Sequence, residues 1–260
     1  MSLSKRRIKR KTDSLSKEIP IIVYKTIDST NTQAKLAADA GRYKSAVFIA
    51  SEQTAGRGRL GRSFISEGGK GLYLSILVGG PLPSDFALSL TTYMAVVASR
   101  AIEALTNTNP QIKWVNDLYL GGKKLSGILT EGKASSDGLS LEYAVVGIGI
   151  NLKKQSFDDE VRKIATTLED EFGEEVDVNA LASLIVKEFF EDISLTGSEE
   201  IAKEYKERSF LVGERVTVIK PTTSYEALVT DITDKCELVL SLGDGTKEIL
   251  STGEVSVRKI

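Results

Sequence analysis

Between Ser84 and Pro110 the apolar residues Ala87, Leu90, Met94, Val97, Ala101 and Leu105 recur at intervals of three and four. That is the period of one face of an α-helix, so the stretch predicts a long amphipathic helix ended at Asn109-Pro110. Strand-like runs surround it: Ile19–Ile27, Ala46–Ala50, Leu72–Val78, Leu118–Leu120, Lys123–Thr130 and Leu141–Asn151. Gly121-Gly122 between two of them predicts a hairpin. A short helix is expected over Thr32–Ala40, capped by Asp28 to Asn31 and stopped at Gly41. Further helices are expected over Ser156–Phe172, Val178–Ile193 and Glu199–Arg208, with Ser156, Asp177 and Ser198 as N-caps. After Phe210 the texture changes to short strands, Val216–Ile219, Ala227–Ile232, Glu237–Leu240, Glu248–Leu250 and Val255–Val257, separated by Gly or Asp turns. Such spacing predicts a small barrel and a domain boundary near residue 210. The expected division is a basic leader over 1–19, a catalytic part over 20–209 and a small C-terminal domain over 210–260.

Composition narrows the chemistry. The 260 residues include no histidine, which removes His-based triads, His general bases and His zinc sites. One cysteine, Cys236, excludes an internal disulfide and fits a reducing compartment. With 34 basic and 36 acidic residues the net charge is −2, against a protein-wide nucleic-acid footprint. No apolar run reaches the length of a membrane span, so the expected address is the cytoplasm. The dense basic run Lys5 to Lys11 reads as a flexible, solvated leader, with a nucleic-acid or membrane arm as the alternative.

Three segments carry candidate chemistry. Gly56-Arg57-Gly58-Arg59-Leu60-Gly61-Arg62 contains G-x-G-x-x-G after a strand, but poor helix material follows, so a dinucleotide site is not expected. Its arginines suit a polyphosphate, because a guanidinium fork binds phosphate oxygens in pairs. An exposed flexible loop is the bland alternative. Next, Lys124 lies among apolar strand residues, where a charge needs an anionic partner. Alternation places Lys124, Ser126 and Ile128 on one face and Leu125, Gly127 and Leu129 on the other. Asn116-Asp117 reads as a turn, or as a metal or lysine partner, and Trp114 as core. Last, Gly147 and Gly149 interrupt an apolar strand, either for close approach or for a bulge.

Taken in this order, these segments resemble the biotin protein ligases. The matching stretches are Asp28 to Asn31, Glu52 to Arg59, Gly61-Arg62, Gly71 to Ser75, Lys113-Trp114, Asn116-Asp117, Lys124 to Leu129 and Gly147 to Asn151. Ala165 to Leu168 and Gly253 to Arg258 also match. The resemblance implies an α+β fold: a mixed β-sheet flanked by helices, of the class II synthetase-like biotin/lipoate ligase type, followed by an SH3-like C-terminal barrel. It implies activation of biotin with ATP and Mg²⁺ to biotinyl-5′-adenylate. Transfer to a lysine of a biotin carboxyl carrier protein would follow.

By the same resemblance, Ser29, Thr30, Asn31, Gln53, Arg57, Gly58, Arg59 and Lys124 would contact biotin. Arg57, Arg59, Arg62, Phe64, Asn116, Lys124 and Asn151 would serve the nucleotide. Lys124, Arg57, Arg59 and Asp117 would carry catalysis, and no residue is assigned to a metal. The family often has Trp at position 64 and Pro at 115, where this chain has Phe and Val. Only 28 residues precede Ser29, which implies the ligase-only type with no specific DNA partner and leaves room for a homodimer. The alternatives are a lipoate ligase or octanoyl transferase, the latter needing a site cysteine, and a biotin-sensing or RNA-binding module.

Overall fold

The computed structural model describes residues 2–12, 19–220, 222–251 and 256–259. Chain order runs α1 (Lys5–Lys11), β1 (Ile21–Tyr24), α2 (Thr30–Asp39), β2 (Ser45–Ala50), β3 (Gly71–Pro83), α3 (Phe86–Thr106), β4 (Gln111–Lys113), β5 (Asp117–Leu120), β6 (Lys123–Ala134) and β7 (Ser140–Asn151). It continues with α4 (Asp159–Ile164), α5 (Leu168–Phe172), α6 (Val178–Glu191), α7 (Glu199–Arg208), β8 (Arg215–Ile219), β9 (Ser224–Ile232), β10 (Leu238–Ser241), β11 (Lys247–Leu250) and β12 (Ser256–Lys259).

The first seven strands form one sheet in the order β1-β2-β3-β7-β6-β5-β4. It is mixed: β1 and β2 pair in parallel, while the other neighbours are antiparallel. Strand alternation divides its two faces. Val47, Ile49, Ile76 and Val146 face the large core shared with α3 and α6, whereas Ala46, Phe48, Leu77 and Val145 pack against Ala34 and Ala37 of α2. The last five strands form an antiparallel sheet in the order β11-β10-β9-β8-β12, consistent with an SH3-like domain. The Gly253 to Val255 part of the terminal motif lies outside the described residues.

The long helix is buried far beyond its stripe. Leu90, Met94, Val97 and Ala101 are buried, but so are Thr91, Thr92, Tyr93, Val96 and Ser99, because α6 and α7 also pack on α3. It stops at Thr106, earlier than Asn109-Pro110, since Asn107 turns left-handed at φ 53° and Asn tolerates that conformation.

Three expectations are corrected, and one left open is decided. Residues 5–11 of the leader are a docked helix, not a solvated arm. Ile8 is fully buried, the Arg7 guanidinium pairs with Asp177 at 2.8 Å, and the Ser4 amide donates to Asn179 Oδ1 at 2.7 Å. One apolar residue and two polar clamps hold a helix too short to persist alone. Residues 13–18 of that leader lie outside the described residues.

The helix expected over Ser156–Phe172 is two helices, capped by Asp158 and Thr167 rather than by Ser156. Between them Ala165 is extended and bridges to Lys124, and the Thr166 amide donates to the Lys124 carbonyl at 2.9 Å. A backbone partner on β6 outcompetes helix continuation there.

Strict alternation also misplaces Lys124. Pairing slips between Leu118 and Tyr119, which oppose Ser126 and Lys124 respectively, leaving Leu125 as an extra residue. This bulge turns Lys124 onto the face of Gly127, whose added Cβ would lie 3.4 Å from Lys124 Nζ. Ser126 and Ile128 keep the opposite, core side and are buried. Finally, Gly147 and Gly149 sit in unbroken register with Ser75 and Tyr73, so they mark close approach and not a bulge.

Candidate active site

One cavity of about 660 Å³ opens on the α2 face of the sheet. Its inner end is polar and fully bonded. Ser29 caps α2 and brings Thr30 and Asn31 to the sheet. Gln53 Oε1 accepts from the Thr30 amide at 2.8 Å and the Thr30 hydroxyl at 3.0 Å, and Gln53 Nε2 donates to Ser66 Oγ at 3.0 Å. Asn31 Oδ1 accepts from Ser75 Oγ at 2.6 Å, while its Nδ2 donates to the Leu129 carbonyl and to Glu131 Oε2. Each amide is thereby held in one orientation.

Glycines make the floor. A Cβ at Gly147 would meet Asn31 Oδ1 at 2.0 Å, and one at Gly149 would meet the Phe64 ring at 2.5 Å. Only a residue without a side chain lets the cradle and the aromatic ring come this close.

The outer end is cationic. Arg57, Arg59, Arg62, Lys113 and Lys124 line the cavity against a single carboxylate, Asp117. Lys124 Nζ donates to Asp117 Oδ1 at 2.7 Å, with the lysine side chain 35% exposed. Arg59 Nη1 donates to Asn116 Oδ1 at 3.1 Å, and Asn116 Nδ2 donates to the Ile128 carbonyl at 2.8 Å. Burial lowers the Arg59 pKa and the Asp117 charge opposes that shift; a guanidinium stays charged regardless. Burial, helped by Asp117, pushes the Tyr119 hydroxyl up to about 12. A positive, partly desolvated chamber beside a neutral cradle suits a ligand with one uncharged polar head and one polyanionic end.

The loop bearing the arginines closes on itself. The Gly58 amide donates to the Arg62 carbonyl at 2.7 Å, and the Phe64 amide to the Gly56 carbonyl at 3.0 Å. The Lys113–Asp117 segment is braced from behind: Trp114 Nε1 donates to the Cys236 carbonyl at 2.8 Å, and the Tyr205 hydroxyl to the Val115 carbonyl at 2.9 Å. Trp114 is core, as expected, and yet touches the cavity.

Ser29, Thr30, Asn31, Gln53, Arg57, Gly58, Arg59, Arg62, Phe64, Asn116, Asp117 and Lys124 thus converge on one cavity. Asn151 does not line it; it is buried, with Nδ2 donating to the Thr166 carbonyl at 3.1 Å. Ser75 was missed as a site residue, although a lone serine inside the apolar run Leu72–Val78 was a readable signal. Glu131, which pairs with Lys35 and holds Asn31, had no such signal.

No group of three or more His, Cys, Asp or Glu side chains among the described residues could hold a metal ion. The one cavity carboxylate is spent on Lys124. The described residues of the cavity therefore offer no ready carboxylate cluster for a resident metal. Cys236 lies outside the cavity lining, and burial pushes its thiol up to about 11. It does not fit an acyl-carrying nucleophile, which must ionise near neutral pH.

The Biotin/lipoate A/B protein ligase family matches residues 23–151, and the Biotin protein ligase C terminal domain matches residues 211–258. The biotin–[acetyl-CoA-carboxylase] ligase of Mycobacterium tuberculosis is 32% identical over 87% of this chain and 85% of its own length. The bifunctional ligase/repressor BirA of Bacillus spizizenii is 30% identical over 96% of this chain and 78% of its own. The biotin protein ligase from Aquifex aeolicus in complex with biotin and ATP is 27% identical, with a TM-score of 0.79 over 93% of this chain and 99% of that one. Fold, cavity and relatives agree: the chain belongs to the biotin protein ligase family, and is an enzyme of the biotin–[acetyl-CoA-carboxylase] ligase class.

Proposed function

We propose that the enzyme works in two steps within this one cavity. The biotin carboxylate attacks the α-phosphorus of MgATP, an oxygen–phosphorus bond forms as pyrophosphate leaves, and biotinyl-5′-adenylate remains. A lysine ε-amine of a biotin carboxyl carrier domain then attacks the acyl carbon; AMP leaves, the amine loses a proton, and an amide results. The observation that carries this reading is the five-to-one excess of cations over carboxylates beside a neutral polar cradle. An anion attacking a phosphate must overcome charge repulsion, which fixed cations offset in the transition state.

The cradle of Ser29, Thr30, Asn31 and Gln53 holds the uncharged head of biotin. Lys124 bridges the biotin carboxylate and the α-phosphate, and Asp117 aims Lys124 from 2.7 Å. Arg57, Arg59 and Arg62 neutralise the phosphates. Asn116 and Asn151 serve the nucleotide end, and Phe64 covers the floor glycines. Magnesium enters with ATP. Among the described residues no helix is long and apolar enough to cross a membrane, and we place the reaction in the cytoplasm.

The test is a mass spectrum of a biotin carboxyl carrier domain incubated with the protein, biotin and MgATP. One added biotinyl group on its lysine is expected; an unmodified carrier would overturn the reading.

Arg59→Gly is expected to separate adenylate synthesis from adenylate retention. Arg59 ties the loop to Asn116, while Lys124 keeps its own partner. A loop freed from that tie lets the mixed anhydride escape before a carrier arrives. Free adenylate acylates accessible amines without regard to sequence. Streptavidin blots of a mixed-protein reaction at matched adenylation rates should show more bystander labelling with the variant. Equal labelling would remove the loop from the role of retaining lid.

A further inference from the structure

Thr30, Asn31 and Gln53 line the cavity. Behind them lies Ser75, which is fully buried. Its Oγ is 2.6 Å from Asn31 Oδ1 and 2.7 Å from Thr30 Oγ1, and Thr30 Oγ1 is 3.0 Å from Gln53 Oε1. Three oxygen–oxygen contacts therefore run in a chain from one amide oxygen to the other. An amide oxygen only accepts, and each hydroxyl carries one hydrogen. Ser75 and Thr30 together bring two hydrogens to three contacts. Each oxygen keeps a partner, but one contact always lacks its hydrogen.

Turning the Asn31 amide round would repair the chain. Asn31 Nδ2 would donate to Ser75, Ser75 to Thr30, and Thr30 to Gln53. Two acceptors on the far side oppose that turn: the Leu129 carbonyl at 3.2 Å and Glu131 Oε2 at 2.9 Å both take hydrogens from Asn31 Nδ2. The carboxylate is the stronger hold, because a hydrogen bond to an ionised acceptor is roughly twice as strong as a neutral one. Glu131 does not line the cavity, and its other oxygen pairs with Lys35.

We propose that Glu131 is a positioning residue that sets the ligand preference of the cradle. By holding Asn31 in this orientation it keeps the Ser75–Thr30–Gln53 chain one hydrogen short, so the cradle accepts from a ligand N–H. The two ring N–H groups of the cyclic urea of biotin are donors of that kind. This rests on the biotin reading above. An oxygen in place of a ring N–H would meet a Thr30 hydroxyl whose hydrogen is already committed.

The test uses the full chain and three probes: biotin, and the two cyclic carbamates in which one or the other ring N–H of biotin is replaced by oxygen. Binding is read by calorimetry, and biotin-dependent pyrophosphate exchange is measured in parallel. The unaltered protein should prefer biotin to at least one carbamate by about tenfold or more. Glu131→Gln keeps the shape of the side chain. Lysine only donates, so the new amide turns its oxygen to Lys35 and its nitrogen to Asn31, which drives Asn31 round. This variant should bind biotin about tenfold more weakly and that carbamate within about twofold of the unaltered protein, so the preference collapses. The loss should fall in KM for biotin, with kcat and KM for MgATP unchanged. Lys35→Met removes the ion pair but leaves the Glu131 carboxylate on Asn31, and should keep the preference. Equal loss for all three probes in Glu131→Gln, or the same collapse in Lys35→Met, would mean that the pair only braces the fold, and would overturn the proposal. So would equal binding of the three by the unaltered protein, a result that does not depend on any variant folding. Preference for biotin without pyrophosphate exchange would overturn the ligase reading and leave the role of Glu131 supported.

Discussion

Replacing Lys124 by alanine is expected to cut biotin-dependent ATP–pyrophosphate exchange by about 10²–10³-fold while leaving the protein folded. A cation acting on charge that develops in the transition state contributes on that scale. The fold should tolerate the change, because the Lys124–Asp117 pair is partly exposed, at 35% and 21%, and such pairs stabilise by only about 0–1 kcal/mol. The measurements are isotope exchange and a thermal melt on the same preparation. Exchange within a few-fold of the unaltered protein would take Lys124 out of the first step. A collapsed melt would instead show that the pair is structural.

The second large effect should come from one methyl group. Gly147→Ala places a Cβ 2.0 Å from Asn31 Oδ1. Asn31 has nowhere to retreat, since Ser75 fixes its oxygen and the Leu129 carbonyl and Glu131 fix its nitrogen. Overpacking of this kind costs about 1–3 kcal/mol, which is roughly 5- to 150-fold in affinity when it falls on the ligand cradle. Biotin titration calorimetry should show that loss. Gly149→Ala is the control: its clash is with the outer edge of the Phe64 ring, carried on a loop that has room to shift, so its loss should be smaller. Unchanged biotin affinity in Gly147→Ala would exclude Asn31 from the biotin cradle.

These expectations depend unequally on what the chain's order of residues reveals. The α3 stripe, the Gly121-Gly122 hairpin, with φ values of 57° and 76°, and the Asp177 and Ser198 caps were legible. Each is decided by residues within a few positions of one another. The cavity's residue types were legible too, because arginines beside glycines, a lysine in an apolar strand and paired glycines each contradict their local setting and so need a reason from outside it.

Other features depended on partners far along the chain. Ile8 reads as one apolar residue in a basic run until α6 offers it a place to dock. Lys124 lies on the cavity face because β5 and β6 pair with one residue to spare, and alternation within β6 alone holds no record of that slip. The interruption at Ala165 follows from a bridge to a strand some forty residues earlier. The Trp114 indole finds its acceptor on Cys236, in the turn between β9 and β10. Propensity and periodicity are local, so the order of residues was enough to fix the groups able to do chemistry and most of the helices and strands. The face taken by the lysine, the docking of the leader helix and the break at Ala165 needed the assembled fold, because register, docking and hydrogen-bond satisfaction are settled between segments distant in the chain.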